Sequence, residues 1–293
     1  MRNPNRPRLA WQRDNTVRLA ISNIAWDVAE DAAIAALLKA RAIDAIDIAP
    51  GKYFPAPASA SNAEIIRVKH WWQAQGIEIT GMQALLFGTS GLNVFGPADV
   101  QQRLLEHLAA VCRIGEGLGA SRIVFGSPKN RDRSGLTDHE ALAIAVPFFR
   151  QLGDIAQAHN VIICLEPNPA HYGANFMLNS AETAHVVQRV DHPAIKMQFD
   201  TGALAINGEA AADVLRQFAP LIGHIHASEP DLVPLGDGAV GHQATAAALQ
   251  SCLPDHIVTI EMVATKDEPH LQSVERALDI AVAHYRPGKS AAS

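Results

Sequence analysis

Short, continuous runs of apolar residues alternate with longer amphipathic stretches through the interior of the chain. The apolar runs are rich in Val and Ile and end at turn residues, which is typical of strands buried on both faces. They predict strands at residues 17–26, 42–50, 77–87, 122–128, 161–168, 195–202, 221–229 and 256–263. The stretches between them predict helices at residues 30–41, 61–75, 98–118, 138–159, 180–190, 209–218, 242–252 and 269–285. Pro147 lies inside the fourth helical stretch and predicts a kink or a break there.

The regular alternation of strand and helix predicts an α/β fold with a parallel sheet, because each helical crossover returns the chain to the same edge. Eight such units in 293 residues fit a closed (β/α)8 TIM barrel. A doubly wound open sheet is the alternative. No linker or change of composition divides the chain. We therefore predict a single barrel domain at residues 17–286, with tails at residues 1–16 and 287–293.

Four consecutive predicted strands each carry a potential metal ligand at the C-terminal end, where (β/α)8 barrels have their active sites. These residues are Glu166, Asp200, His226 and Glu261. Three carboxylates meeting at one point would repel one another and be forced to protonate unless a cation were present. This oxygen-rich set suits Mn²⁺ best, with Mg²⁺ or Co²⁺ as alternatives. The competing interpretation is that each acid only caps the helix that follows its strand.

The alternation of side chains along a strand places residues two positions apart on the same face. The residues that would share the barrel interior with the four potential ligands are Cys164, Gln198, His224 and Thr259. Their neighbours of opposite parity are apolar and would pack against the helices. We therefore interpret His224 as an interior histidine with hydrogen-bond partners, not as a metal ligand.

Composition narrows the classes of function. A hydrophobic content of 48% with 18% charged residues is ordinary for a globular domain, and a net charge of −6 disfavours nucleic acid or an anionic membrane as partner. No apolar run approaches the ~18 residues of a membrane helix. Residues 1–16 lack the apolar core of a secretory signal, and the three cysteines are scattered, which together predict a cytoplasmic location. The glycines at 115, 117 and 119 precede a strand instead of following one, so no nucleotide cofactor is expected.

The chain resembles the xylose isomerase-like TIM-barrel superfamily of sugar phosphate isomerases and epimerases over nearly its whole length. The resemblance rests on the order and spacing of LEPNP (165–169), FDTG (199–202), HIHASE (224–229), LGDG (235–238) and IEM (260–262). It implies that Glu166, Asp200, His226 and Glu261 bind one divalent metal ion. In the ketose 3-epimerase branch, the two glutamates also exchange the substrate proton, and the metal lowers the cost of an enediolate.

Two positions depart from the pattern of the 3-epimerases. That branch has a histidine three residues after the sixth-strand aspartate, where this chain has Ala203. Its arginine after the seventh-strand histidine has no counterpart in ASEPDLVPLGDG. The departures leave an isomerase, a dehydratase or another lyase open. The superfamily also includes endonuclease IV, but Ala203, the lack of a histidine right after Asp237 and the acidic net charge disfavour DNA repair.

The leading hypothesis is a divalent-metal-dependent sugar isomerase or epimerase that abstracts a proton next to a carbonyl. Glu166 and Glu261 would act as the acid/base pair, one removing the proton and the other returning it. The enzymatic alternative is a metal-dependent dehydratase on a keto-sugar or inosose. A non-catalytic sugar-binding barrel is the alternative from a different class. The expected partner is a small-molecule sugar, and assembly into a homo-oligomer is left open.

Four further residues are candidates for substrate binding. Trp26 would stack on a sugar face or plug the barrel mouth. Lys129 and Arg131 follow the fourth strand and would face the substrate, or else form a solvated basic loop. His171 follows Glu166 by five residues and would hydrogen-bond a sugar hydroxyl.

Overall fold

Residues 17–286 are described by a computed structural model, and their eight strands form a closed parallel barrel in sequence order. The strands are β1 Leu19–Ser22, β2 Ala45–Ile48, β3 Glu78–Met82, β4 Arg122–Phe125, β5 Ile162–Leu165, β6 Ile195–Asp200, β7 Ile222–Ser228 and β8 Val258–Glu261. Pairing of β1 with β8 closes the barrel. The predicted (β/α)8 fold is confirmed, and the open-sheet alternative is wrong. The tails predicted at residues 1–16 and 287–293 lie outside the described residues.

Nine α-helices surround the barrel within residues 17–286. They are α1 Asp31–Ala40, α2 Asn62–Ala74, α3 Ala98–Leu118, α4 Asp138–Ala158, α5 Ser180–Val190, α6 Thr201–Asn207, α7 Ala211–Phe218, α8 His242–Cys252 and α9 His270–Tyr285. Side-chain caps fix several starts: Ser61 and Thr137 each accept a hydrogen bond from a backbone N–H three residues later. None of the helices of this part of the chain is both long and apolar enough to cross a membrane.

The region after β6 differs from the sequence prediction. The strand ends at Asp200, two residues earlier than predicted, and α6 begins at once. The reason is a helix cap, because Asp200 Oδ1 accepts a hydrogen bond of 2.7 Å from the backbone N–H of Ala203. The predicted third strand is also too long: β3 ends at Met82, and a loop leads to α3.

Pro147 does not break the fourth helix, contrary to one of the two predicted outcomes. Helix α4 runs without interruption from Asp138 to Ala158. A proline inside a helix removes one backbone hydrogen bond. Its neighbours Phe148, Phe149 and Leu152 are buried in the core, and such tertiary packing supplies most of the stability of helices in proteins.

The apolar core lies between the sheet and the helices, while the barrel interior is partly polar. Met197 and Phe199 belong to the apolar core, as their parity predicts. Among the interior residues, His224 lies on β7, and its Nε2 is 2.6 Å from Asp47 Oδ2 on β2. Both side chains are buried. The prediction that His224 is a hydrogen-bonded interior histidine is confirmed.

Candidate active site

The four potential metal ligands meet at the C-terminal ends of β5 to β8. Each can offer one ligand atom, and these atoms all lie within 4.8 Å of one another. His226 Nδ1 is 3.1 Å from Glu261 Oε2, 3.6 Å from Glu166 Oε1 and 4.0 Å from Asp200 Oδ2. Parallel strands of a closed barrel end at the same rim, which is why residues so far apart in sequence converge.

Burial makes this group electrostatically demanding. His226 is fully buried, Asp200 and Glu261 are nearly so, and Glu166 is partly exposed. Burial, and then the charges of Glu261 and Glu166, raise the pKa of Asp200 to about 8. Burial alone would lower the pKa of His226, but the charges of Glu261 and Glu166 raise it well above its ordinary value. The site therefore takes up protons when no cation balances its carboxylates.

The residues fit a divalent cation. Neither ring nitrogen of the buried His226 makes a well-directed hydrogen bond among residues 17–286, although Nδ1 lies 3.1 Å from Glu261 Oε2. Buried polar atoms rarely lack a directed partner. Bonds from such ligands to a first-row cation are about 2.0–2.2 Å long, so ligand atoms of one coordination sphere lie within about 4.4 Å of one another. The observed spacing is close to this, and the three carboxylates with one imidazole suit Mn²⁺, Mg²⁺ or Co²⁺.

Asp200 both caps the helix that follows its strand and faces the candidate metal centre. Its Oδ1 caps α6 through Ala203 N, while its Oδ2 accepts a hydrogen bond of 2.7 Å from Ser228 Oγ. Ser228 Oγ in turn accepts one from Gly202 N. The carboxylate is thereby held rigidly, with Oδ2 the oxygen that faces His226. Capping the helix and facing the centre are compatible for this residue.

Both glutamates are held by neutral amides. Glu166 Oε2 accepts a hydrogen bond of 3.2 Å from Asn168 Nδ2, and Glu261 Oε1 accepts one of 2.5 Å from Gln83 Nε2. Gln83, Asn168 and Ser228 are not among the site residues that the sequence predicts. Asn168 and Ser228 stand inside the LEPNP and HIHASE motifs, which was a usable signal. No sequence motif marks Gln83, because the predicted third strand includes it and places no strand end there.

Two of the substrate-binding candidates, Trp26 and Arg131, are buried. Trp26 has no exposed surface, and its Nε1 donates a hydrogen bond of 2.8 Å to Asp31 Oδ1, so no sugar can stack on it. Arg131 is also buried, and its Nη1 donates to the backbone oxygen of Glu166 over 2.6 Å. Burial lowers the pKa of Arg131 to about 10. This arginine holds the backbone at Glu166, while its Nε and Nη2 are buried and have no hydrogen-bond partner among residues 17–286. Its contact with a substrate stays a prediction.

The other two candidates are exposed. Lys129 has no hydrogen bond or ion pair to another residue of the described part of the chain. His171 Nε2 lies 3.0 Å from Asp231 Oδ1 and links the loop after β5 to the loop after β7. Contact of either side chain with a sugar stays a prediction.

Comparison with known proteins places the chain among similar barrels. Residues 35–283 match the family model described as xylose isomerase-like TIM barrel. No curated protein sequence matches the chain.

Three solved structures illustrate the similarity. D-psicose 3-epimerase from Clostridium cellulolyticum H10, solved with D-tagatose, is 19% identical with a TM-score of 0.75 over 92% of this chain and 99% of its own. The 3-keto-D-glucoside 4-epimerase from E. coli is 16% identical with a TM-score of 0.73 over 89% and 98%. An L-ribulose 3-epimerase is 18% identical with a TM-score of 0.71 over 92% of both chains. Identities this low show a shared fold only.

Proposed function

Because the chain belongs to the xylose isomerase-like TIM barrel family, we propose that it is a divalent-metal-dependent sugar isomerase or epimerase. The observation that carries the proposal is the convergence of Glu166 and Glu261 with Asp200 and His226 at one buried point. These four residues would hold the ion, Mn²⁺ before Mg²⁺ or Co²⁺. When bound, such an ion polarises the carbonyl and hydroxyl oxygens of a sugar and so lowers the cost of an enediolate.

The two glutamates would transfer the proton. One carboxylate removes the proton from the carbon beside the carbonyl, and the electron pair of that C–H bond moves into the carbonyl to give the enediolate. The other glutamate, which carries a proton in this step, then delivers it to the opposite face of the same carbon, or to the former carbonyl carbon. In the second case the hydroxyl proton of the first carbon moves to the neighbouring oxygen, so that the carbonyl forms at the first carbon. The first outcome is epimerisation and the second is isomerisation. Glu166 and Glu261 extend from β5 and β8, with two strands between them, so they approach the centre from different directions.

A metal-dependent dehydratase on a keto-sugar or inosose is the second candidate. Its first step is the same proton abstraction by a glutamate. The hydroxyl on the next carbon then takes a proton from the other glutamate and leaves as water, while the enediolate electrons form the new C=C bond. Ala203 supports this alternative, because the 3-epimerases carry a histidine at this position. The methyl group of Ala203 offers no polar contact to a sugar. A small-molecule sugar as substrate and a cytoplasmic location are further parts of the proposal.

Substitution of the two glutamates tests the proposed roles. Glu166→Gln and Glu261→Gln keep an oxygen for the ion but remove the basic carboxylate. Each should lower kcat at least about 100-fold in Mn²⁺-loaded protein while substrate still binds, in line with typical contributions of a general base. Asp200→Asn is the matched control, since it should chiefly weaken metal affinity and regain activity with excess ion. Near-normal turnover of either Gln variant at saturating metal would refute the mechanism.

A further inference from the structure

We propose that Gln83 and Asn168 are positioning residues that fix the orientation of the two proton-transfer glutamates. This inference rests on the proposed function and adds to it. In each pair, the amide holds one carboxylate oxygen, which leaves the other oxygen facing the metal centre. Gln83 serves Glu261, and Asn168 serves Glu166.

Gln83 lies on a rigid part of the barrel. It follows the last residue of β3, and its backbone N–H donates to Ile48 O at the end of β2 over 3.0 Å. Its side chain is 4% exposed, and Nε2 donates to Glu261 Oε1. The oxygen left over, Glu261 Oε2, is the atom 3.1 Å from His226 Nδ1. The amide therefore selects which carboxylate oxygen faces the centre.

The other amide atom of Gln83 strengthens this interpretation. Gln83 Oε1 is buried and has no hydrogen-bond partner among residues 17–286. An unsatisfied buried acceptor costs stability. Within this part of the chain, the bond to Glu261 is the only side-chain hydrogen bond that Gln83 makes, so structural stability alone does not account for an amide at this position.

Asn168 repeats the arrangement on the opposite glutamate. Its backbone N–H donates to Met177 O over 2.9 Å, and Nδ2 donates both to Gly126 O over 2.8 Å and to Glu166 Oε2. The oxygen left over, Glu166 Oε1, is the atom 3.6 Å from His226 Nδ1. The two glutamates thus share one pattern although they come from different strands.

The chemistry of the amide suits a base better than a charged partner would. An amide N–H orients an ionised carboxylate without neutralising it and has no proton to lose near neutral pH. A lysine or arginine in the same place would compensate the charge that makes the glutamate a base. The amides therefore fix the direction of each carboxylate, so that it is already oriented for proton transfer when the substrate binds.

Gln83→Met and Asn168→Leu test the proposal because each removes the N–H donor at similar side-chain size. Loss of a supporting hydrogen bond of this kind costs about 10- to 100-fold in rate, and we expect the loss only in the step of the glutamate concerned. The probe is the sugar that the wild-type protein converts in a ketose panel, with turnover in D₂O. Thermal melts check folding, and Gln198→Met, which removes a buried amide bonded to neither glutamate, is the control.

The expected signature is an opposite asymmetry in the two variants. The measured quantity is the rate of deuterium exchange into the starting sugar divided by the rate of product formation. With the sugar whose proton Glu166 removes as starting material, this ratio should be at least about 10-fold higher in Gln83→Met than in the wild type. The reason is that the enediolate returns through Glu166 before Glu261 completes the reaction. In Asn168→Leu, the excess exchange should appear with the product sugar as starting material. The Gln198 variant should leave both exchange-to-product ratios unchanged.

Two outcomes overturn the inference separately from the proposed function. Unchanged exchange-to-product ratios in both directions would show that the amides do not position the glutamates and act only on stability. If the wild-type protein converts no sugar, the proposed function is in question, and crystal structures of the Mn²⁺-loaded variants decide the inference alone. A displaced Glu261 carboxylate in Gln83→Met supports positioning, whereas an unmoved carboxylate overturns it.

Discussion

Protons compete with the metal ion for the candidate centre, and this competition predicts a steep dependence of metal affinity on pH. Burial and the charges of Glu261 and Glu166 raise the pKa of Asp200 to about 8. A carboxylate must be ionised to bind the cation, so one proton leaves Asp200 for each ion bound below about pH 8. Mn²⁺ affinity should therefore rise about tenfold per pH unit, or about 1.4 kcal/mol, between pH 6 and 8 and then level off.

His226 makes this slope a lower limit. The charges of Glu261 and Glu166 hold its pKa well above the ordinary value in spite of burial, so the imidazolium must also lose a proton before it can bind the ion. Release of protons from both groups would steepen the dependence beyond tenfold per unit.

The stability of the metal-free protein should fall as the pH rises, whereas its affinity for the metal ion should increase. Asp200 and His226 have pKa values that are higher in the folded state than in the unfolded state. Their contribution to stability is complete below the unfolded pKa and declines as the pH rises through the folded pKa. For Asp200 this window extends from about pH 4 to about pH 8. The metal-free protein should thus lose thermal stability across that range, and the shift in Tm caused by Mn²⁺ should grow.

Isothermal titration with Mn²⁺ at pH 6, 7 and 8 measures the effect directly. Buffers of different ionisation enthalpy report the number of protons released. Asp200→Asn is the control, because it should weaken binding and reduce the slope by about tenfold per pH unit. An affinity that changes less than about threefold between pH 6 and 8 would refute the account of this centre.

Two substitutions test the interior residues. Trp26→Phe removes the N–H that Asp31 accepts and should lower the free energy of unfolding by about 1–2 kcal/mol in urea titrations without changing KM; a raised KM with unchanged stability would return Trp26 to the substrate site. His224→Leu removes the hydrogen bond between Nε2 and the fully buried Asp47 and should cost about 1–3 kcal/mol in the same assay. A loss below about 1 kcal/mol would contradict the importance of that pair, and Asp47→Asn in the His224→Leu background should recover part of the loss.

The barrel and the convergence of four residues could be predicted from the sequence because each depends on a local pattern. A strand buried on both faces must be apolar, so an acid at its end is conspicuous. Glu166 and Glu261 follow such runs directly. Strand parity then identified the interior residues, including His224. These inferences need only the order of residues and the rule that parallel strands end at one rim.

Contacts between distant segments could not be predicted in this way. Periodicity indicates on which face of a strand a side chain lies, but not which loop approaches it. Trp26 follows the first strand whether its side chain faces the substrate or is buried. Its burial and its contact with Asp31 are seen only in the structure. Arg131 lies in a basic loop, yet its side chain is buried and donates to the backbone oxygen of Glu166. Gln83 meets Glu261 across 178 positions of sequence.

Transfer of deuterium from solvent to a substrate carbon tests the central claim most directly. The Mn²⁺-loaded protein is incubated in D₂O with ketoses, inososes and keto-glycosides, and the recovered sugars are analysed by NMR and mass spectrometry. We predict incorporation of deuterium at a carbon next to the carbonyl without net loss of water. Glu166→Gln and Glu261→Gln should each stop formation of the product sugar, and any remaining exchange should be confined to the sugar whose proton the other glutamate removes. Loss of water with incorporation would instead identify a dehydratase. No exchange with any sugar of the panel would contradict proton transfer at this centre and favour a barrel that only binds its ligand.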